Sequence, residues 1–399
     1  MRIVQKSIIF FVFIGLFMFV VAYARGYRFS FKQKSFTSTG IIAATSQPKA
    51  AKVYINGELK GVTDNTFILP PDTYKIEIKK DGYVDWKKTL VLKGELVVSA
   101  DATLFPLNAS LTPLTNLGLT KVVTIDKTER SLLFSQNGIE EKDGIYLFDQ
   151  NKRPFSFFPP LKLLVLKKNL PLDVDFKKTA ITFSPDFKQA IVDFELENSN
   201  ISYLISLDEE NLQLFDVTNS KESLISAWDE ENKKEAIKIM EIFPNEVRKI
   251  ASDSFSVVSF SPDKTKLLYK AKKTVDLPLF IIPPLIATNQ EKEDRSLIEG
   301  ELYVYDKKED KNFKVKGVKT ANDQIDSIVM WYIDSRHFII NDREHLSVVE
   351  YDNTNKQIVY SGPYLSDYFD VASDGRLLIL ANFNPQTNKY PDIYAVGIR

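Results

Sequence analysis

The sequence contains no cysteine and only two histidines, His337 and His345. Disulfides, thiolate zinc sites and cysteine nucleophiles are therefore excluded, and little material remains for metal or acid–base chemistry. An excess of one charge is missing too: 52 basic against 53 acidic residues leave a net charge of −1. That balance argues against nucleic-acid binding, which needs a concentrated basic face to meet phosphates. Glycine is sparse, with 15 in 399 residues, few for a fold built on tight turns. Also absent are a G-x-S-x-G elbow, an H-E-x-x-H helix and a glycine-rich phosphate loop. No catalytic, cofactor-binding or metal-binding residue is assigned, and no cofactor is expected. What is present is apolar and aromatic: 44% hydrophobic residues, 28 Phe and 17 Tyr, enough for packed cores and typical of strand-rich chains. The length admits two or three domains.

The chain has one long uncharged run, Ser7 to Ala24, with Arg2 and Lys6 before it and Arg25 and Arg28 after it. As a helix it would span roughly 27 Å at about 1.5 Å per residue, enough to cross a bilayer core. We read residues 1–6 as a cytoplasmic stub, 7–24 as an uncleaved transmembrane signal-anchor and 25–38 as a linker. The alternative is a signal peptide cut after Ala24, since Ala22-Tyr-Ala24 fits the small-x-small cleavage pattern. Arg25, Arg28, Lys32 and Lys34 outnumber the basic residues on the N-terminal side. Taken literally, the positive-inside rule would keep the bulk of the chain in the cytoplasm. A short stub before a single apolar segment is nevertheless the usual export arrangement, so residues 25–399 are expected outside.

Short strands follow at once. Ala51–Ile55 runs into Asn56-Gly57, the strongest local signal for a two-residue hairpin turn. Pro70-Pro71-Asp72 and Asp81-Gly82 are further turn clusters. Tyr74–Lys79 alternates apolar and charged residues, the period of a strand with one wet face. Residues 39–105 thus form one small antiparallel sandwich of five or six strands. These residues resemble a PEGA domain. Pro48-Lys49-Ala50-Ala51 stands at its Pro-Glu-Gly-Ala motif, followed by Val53-Tyr-Ile-Asn-Gly57. Gly61-Val-Thr63, Pro71-Asp-Thr-Tyr74 and Lys80-Asp-Gly-Tyr83 with Trp86 match the family's later turns. Three positions depart: Lys49 for Glu, Ala50 for Gly and Asp64 for Pro. The resemblance implies an extracytoplasmic bacterial surface module, often beside a transmembrane helix, with no catalytic residues to carry over.

Residues 106–118 read as a linker. Beyond them a repeat appears, strand–Asp turn–strand. Phe183-Ser-Pro-Asp186 and Phe260-Ser-Pro-Asp263 are its clearest copies, with weaker ones at Asp126, Asp334 and Asp374. Asp334 and Asp374 lie 40 residues apart, one propeller blade, whereas the other spacings of 60, 77 and 71 require insertions or an unseen blade. The repeat resembles TolB-like and WD-repeat-like β-propellers over residues 119–399. A plain β-sandwich is the alternative.

Two insertions interrupt the repeat. Residues 219–250 switch to helical spacing through Leu224, Trp228, Ile237 and Met240, with Ser220 a plausible N-cap and Pro244 a break. Residues 276–299 include the proline-punctuated Leu277–Ile286, unsuited to a central strand. Inserted loops on a rigid scaffold are where recognition tends to sit. Leu279, Phe280, Ile281 and Ile282 are therefore candidate binding residues. The plainer reading has this loop packing on the helical insertion. Tyr83 and Trp86 are candidates for stacking on sugar rings, against a core role. His337 and His345, near Asp334, Asp342 and Glu344, read as ordinary strand and turn residues. Asp173-x-Asp175 lacks most of a calcium-loop ligand ladder.

The expected fold class is mainly β: an N-terminal transmembrane helix, a small PEGA-like antiparallel β-sandwich, then a β-propeller-like domain with a helical insertion. The expected function is non-catalytic: a membrane-anchored cell-envelope protein presenting a propeller to a protein partner. The alternatives are a cell-wall glycan-binding module, a cleaved-signal secreted TolB-like protein, and an enzyme with its site in the propeller channel.

Overall fold

The computed structural model describes all residues except 1, 25–26, 31–34, 126–127, 151–160, 172–173, 198, 242–244, 319, 322–323, 326–327 and 387–388. Asp126, Asp173 and Pro244 thus lie outside the described residues. The uncharged run lies in one helix, α1 (Arg2–Ala24), and most of its apolar side chains from Ile8 to Tyr23 are exposed. By length and composition this helix can cross a membrane or serve as a signal sequence. A short ribbon follows, β1 (Tyr27–Ser30) with β2 (Ser35–Ser38), which brings Tyr27 opposite Ser38.

The sandwich is built from β3 (Gly40–Gln47), β4 (Lys52–Ile55), β5 (Glu58–Val62), β6 (Asn65–Leu69), β7 (Asp72–Lys79), β8 (Trp86–Leu92) and β9 (Val97–Thr103). One sheet runs β6-β3-β9 and the other β5-β4-β7-β8. Alternation along each strand sends Ile42, Ala44, Val98 and Ala100 inward from the first sheet. Val53, Ile76, Ile78 and Leu90 meet them from the second. The sandwich is not wholly antiparallel, because β3 and β9 pair in parallel from Ile41↔Val97 to Gln47↔Thr103. Asn56 and Gly57 both take positive φ, 52° and 84°, as the expected hairpin turn requires.

Ser110–Pro113, read as part of a linker, is a strand (β10) paired with the last strand of the chain, Ser110↔Gly397 to Pro113↔Tyr394. It is four residues, fully exposed and outermost in its sheet, a position that tolerates proline. The sheet it completes is one of five four-stranded sheets outside the sandwich among the described residues. Blade 1 is β11 (Leu119–Ile125), β12 (Arg130–Ser135), β13 (Gly144–Asp149) and β14 (Leu161–Leu166). Blade 2 is β15 (Ala180–Phe183), β16 (Gln189–Glu195), β17 (Asn200–Ser206) and β18 (Phe215–Asp216). Blade 3 joins β19 (Phe255–Phe260) and β20 (Lys266–Ala271) to β23 (Leu302–Asp306) and β24 (Lys311–Lys314). The small pair β21 (Val275–Asp276) and β22 (Ser296–Leu297) closes the inserted loop within it. A ribbon, β25 (Thr320–Ala321) with β26 (Gln324–Ile325), leads to blade 4: β27 (Ile328–Trp331), β28 (His337–Asn341), β29 (Leu346–Glu350) and β30 (Gln357–Tyr360). Blade 5 is β31 (Leu365–Val371), β32 (Leu377–Ala381), β33 (Asp392–Gly397) and β10.

The second strand of each blade shows how the sheets form a ring. Successive side chains on a strand point to opposite faces, and here each face has a different neighbour. From β12, Leu132 and Phe134 pack toward blade 2, and Leu133 toward blade 5. From β32, Leu378 and Leu380 pack toward blade 1, and Leu377 and Ile379 toward blade 4. From β28, Phe338 and Ile340 pack toward blade 3, and Ile339 toward blade 5. Between blades 2 and 3 the helical insertion intervenes. Trp228 of α2 (Lys221–Met240) packs on Ile191 of blade 2. Val247 and Ala251 of α3 (Asn245–Ser254), with Met240 of α2, pack on Leu267 and Tyr269 of blade 3. The 77- and 71-residue spacings therefore hold insertions, the helices and the proline loop, and the described residues form five blades.

The repeated aspartate fastens the turn between the first two strands. In blade 2, Ser184 Oγ and Lys188 N donate to Asp186 Oδ1 at 2.7 and 3.1 Å. In blade 3, Ser261 Oγ and Thr265 N donate to Asp263 Oδ1 at 2.7 and 3.0 Å. Arg336 N on Asp334 (2.9 Å) and Arg376 N on Asp374 (3.1 Å) repeat the bond in blades 4 and 5. The residue after each aspartate is left-handed: Phe187 at 54°, Lys264 at 57°, Ser335 at 60° and Gly375 at 84°. Only blade 5 uses glycine there. The low glycine content is thus met by side-chain-bearing residues held in a conformation that costs them about 1–2 kcal/mol each.

Candidate functional site: the seam between sandwich and propeller

The outer sheet of the sandwich ends in β8, and β8 docks on blade 4. Trp86 is a core residue of the sandwich, 3% exposed, and its indole N–H donates to Glu350 Oε1 at 2.5 Å. Two residues on, Lys88 Nζ donates to Glu350 Oε2 at 3.2 Å and to Asp352 Oδ2 at 2.5 Å. Burial alone would lower the Lys88 pKa. The carboxylates of Glu350 and Asp352 outweigh burial and hold it above the ordinary lysine value. Burial would likewise raise Asp352, but Lys88 keeps its carboxyl below the usual range. Such a pair is expensive to desolvate and more expensive to break, because the surviving partner stays buried and unmatched.

The proline loop is the third party. Asn289 Nδ2 donates to Asp352 Oδ2 at 2.7 Å, and Asn289 N donates to Glu309 Oε2 of blade 3 at 2.8 Å. Gln290 pairs with the backbone of Val91 in β8 in both directions: Val91 N donates to its Oε1 at 2.6 Å, and its Nε2 donates to Val91 O at 2.9 Å.

The far end of β9 is fixed separately. Thr103 Oγ1 and the His337 ring Nδ1–H donate to Asp334 Oδ2 at 3.0 and 2.7 Å. Burial would raise Asp334, but the His337 imidazole, with its hydrogen bond, holds the carboxyl well below the usual range. Phe105 inserts into the core shared by blades 4 and 5, edge-on to Tyr332 and His337 with ring centroids 5.6 and 5.3 Å away. Arg336 pairs with Asp101 at 3.1 Å. The repeat aspartate of blade 4 therefore serves its own turn and the neighbouring domain together.

Two clefts flank this seam. One, of about 610 Å³, is lined by Gln47, Lys49, Asp64, Asp101, Asp334 and Arg336, among others. Lys49 and Asp64, two of the departures from the PEGA motif, form an ion pair with each other there at 3.1 Å. The third, Ala50, sits at φ 57° where the family carries glycine. The other cleft, of about 490 Å³, is lined by Tyr83, Trp86, Phe105, His337 and Asn355, among others.

The residues expected to bind thus separate. Trp86 presents no open face for a sugar. Tyr83 is half-buried, packs on the sandwich core and lines a cleft. In the loop, Phe280 packs edge-on against Tyr305 at 5.7 Å and joins the core that includes α3. Phe280 N and Ile281 N donate to Asp310 Oδ2 at 2.8 and 2.9 Å. Leu279 and Ile282 are exposed, Ile282 by 81%. His345 has Asp342 and Glu344 within 4.0 Å. Among the described residues no group of three or more His, Asp or Glu is placed to hold a metal ion.

Residues 39–108 match the PEGA domain. The match extends three residues past the expected boundary, where Tyr83 bridges Pro106 and Leu107 N donates to Gly82 O at 2.9 Å. No curated protein matches the chain. Among solved structures, the chain is similar to a structural genomics protein from Bacteroides thetaiotaomicron, at 9% identity and TM-score 0.20, over 88% of this chain and 79% of that one. It is also similar to the Dos1 propeller, at 9% identity and TM-score 0.22, over 94% and 82% of the two chains. An oligogalacturonate lyase in complex with manganese shows 11% identity and TM-score 0.21, over 82% and 74%. At these scores the likeness carries no argument, and the propeller rests on the strand order and packing above. The chain contains a PEGA domain followed by a five-bladed β-propeller-like domain.

Proposed function

We propose that this protein is a non-catalytic, membrane-anchored envelope scaffold in which the PEGA sandwich holds the propeller in one fixed pose for a protein partner. The observation that carries this reading is the seam. One end of the sandwich is fastened to blade 4 through Trp86, Lys88, Glu350 and Asp352, while its other end continues through β2 and β1 to the apolar helix α1. A flexible tether would need no buried ion network. A fixed pose does, since buried charge pairs favour one geometry over near alternatives. The test is protease treatment of intact cells followed by in-cell crosslinking. Cleavage of the propeller from outside and a discrete crosslinked protein support the proposal. Protection of the propeller, or a crosslinking pattern indifferent to Lys88→Ala, counts against it. A cell-wall glycan reading retains Tyr83 in its cleft, and a peptidoglycan pull-down unchanged by Tyr83→Ala would remove it.

A further inference from the structure

We infer that the tip of the proline loop, Leu279 to Ile286, is a second membrane contact, resting its apolar side chains on the bilayer that α1 spans. The inference rests on the reading of α1 as a span, and it follows from a chain of contacts. The end of α1 is three residues from Tyr27, a reach of at most about 11 Å at roughly 3.6 Å per residue. Tyr27 pairs with Ser38. Beside Ser38 lies the turn between β8 and β9: a Cβ on Gly94 would collide with the Ser38 side chain, and Glu95 N donates to Thr39 O at 2.9 Å. That turn directly follows Val91, the residue clamped by Gln290. The loop is therefore held at the same end of the sandwich at which the chain leaves for the membrane.

Its side chains fit the place. Ile282 and Ile286 are 81% and 73% exposed, with Leu279, Leu285 and Val91 also open to solvent. Ile68 and Val97, which flank Ile41 in the β6-β3-β9 sheet at this end, are exposed as well. Exposed apolar clusters of this kind mark interaction surfaces, and the loop is preorganised for one. Asp310 accepts from Phe280 N and Ile281 N, and Arg295 braces it through Asp310 and Pro278 O. A rigid tip loses little freedom on binding. The opposite end of the sandwich, by contrast, carries the charged cleft with Lys49 and Asp64.

The absence of cysteine makes the test direct. Single cysteines replace Ile286 in the loop, Phe13 in α1 and Val62 at the far end of the sandwich. Each labelled full chain is reconstituted into phosphatidylcholine–phosphatidylglycerol vesicles, with or without brominated phosphatidylcholine. The expected result is a blue-shifted label at 286, quenched by brominated lipid about as the label at 13 is, with the label at 62 unaffected. Quenching at 13 without quenching at 286 overturns the inference and leaves the anchor standing. Quenching at neither position overturns both. Quenching at 286 alone upholds the loop contact and removes the anchor. A blue shift at 286 without quenching assigns the tip to a protein surface, and quenching at all three positions reports general adsorption. Either result overturns the inference.

Discussion

Two kinds of seam hold this molecule together, and they differ in chemistry. Between blades the packing is apolar on both faces, with hydrogen bonds such as Tyr332 Oη to Gly375 O at 3.0 Å beside it. Leu133 and Leu378 meet across one seam and Phe338 and Val304 across another, all buried. Between sandwich and propeller, an apolar plug, Phe105, accompanies a buried set of charges around Lys88 and Asp334. Apolar packing is non-directional and scales with area, so it closes a ring from approximately repeated parts. A charge network is satisfied in one geometry only, so it fixes how two unlike domains meet. The blade seams supply stability, and the domain seam supplies orientation.

The largest expected effect comes from breaking a blade seam. Phe338 is fully buried against Trp331, with ring centroids 4.1 Å apart. Phe338→Ala should cost about 3–5 kcal/mol, read as a lower denaturation midpoint for the whole propeller. Lys88→Ala should cost about 3 kcal/mol by leaving Glu350 and Asp352 buried without their cation. Its effect should be local: faster hydrogen exchange around residues 350–355 and new cleavage within 106–118, with the propeller's own midpoint little changed. Global unfolding by Lys88→Ala would erase the distinction between the seams.

The seams should also part company on titration. Asp334 and Asp352 are held below the ordinary carboxyl value. Their contribution is therefore present above about pH 3.9 and lost as pH falls through the folded values. Lys88 is held above its ordinary value, so its contribution is present below about pH 10.4 and lost as pH rises through the folded value. Cleavage of the 106–118 segment should thus stay flat between about pH 4 and 10 and rise outside that window, while the apolar blade seams respond less.

The smallest effects concern the turns. Gly375 is left-handed, and a Cβ there would fall 2.5 Å from the Tyr332 hydroxyl. Gly375→Ala should therefore destabilise by about 1–2 kcal/mol. Lys264 and Ala50 occupy left-handed positions with side chains, so Lys264→Gly and Ala50→Gly should each stabilise by about 1 kcal/mol. Thermal melts of the three variants check both signs.

Much of this was legible in residue order, for a physical reason. The sandwich and the aspartate turns at Asp186, Asp263, Asp334 and Asp374 are local patterns, written by alternation and turn chemistry within about ten residues. The closing strand Ser110–Pro113 was not legible. It is short, exposed and ends in proline, and its partner lies near the other end of the chain. The domain seam was illegible for the same reason, since Trp86 and Glu350 stand 264 residues apart and nothing local marks either as the other's partner. Sequence left Trp86 between sugar stacking and a core role because exposure, not identity, decides between them. One local signal was open to reading: the blade 4 turn carries His337 three residues after its aspartate, where blades 2, 3 and 5 carry Gln189, Lys266 and Leu377. That is the copy which faces another domain.

Sandwich and propeller are expected to share one pose. Cysteines at Leu59 in the sandwich and Leu212 in the propeller, both exposed, accept spin labels in an otherwise cysteine-free chain. Pulsed dipolar spectroscopy should give a single narrow distance distribution for the parent chain and a broad one for Lys88→Ala. A broad distribution in the parent chain, unchanged by Lys88→Ala, would contradict the account.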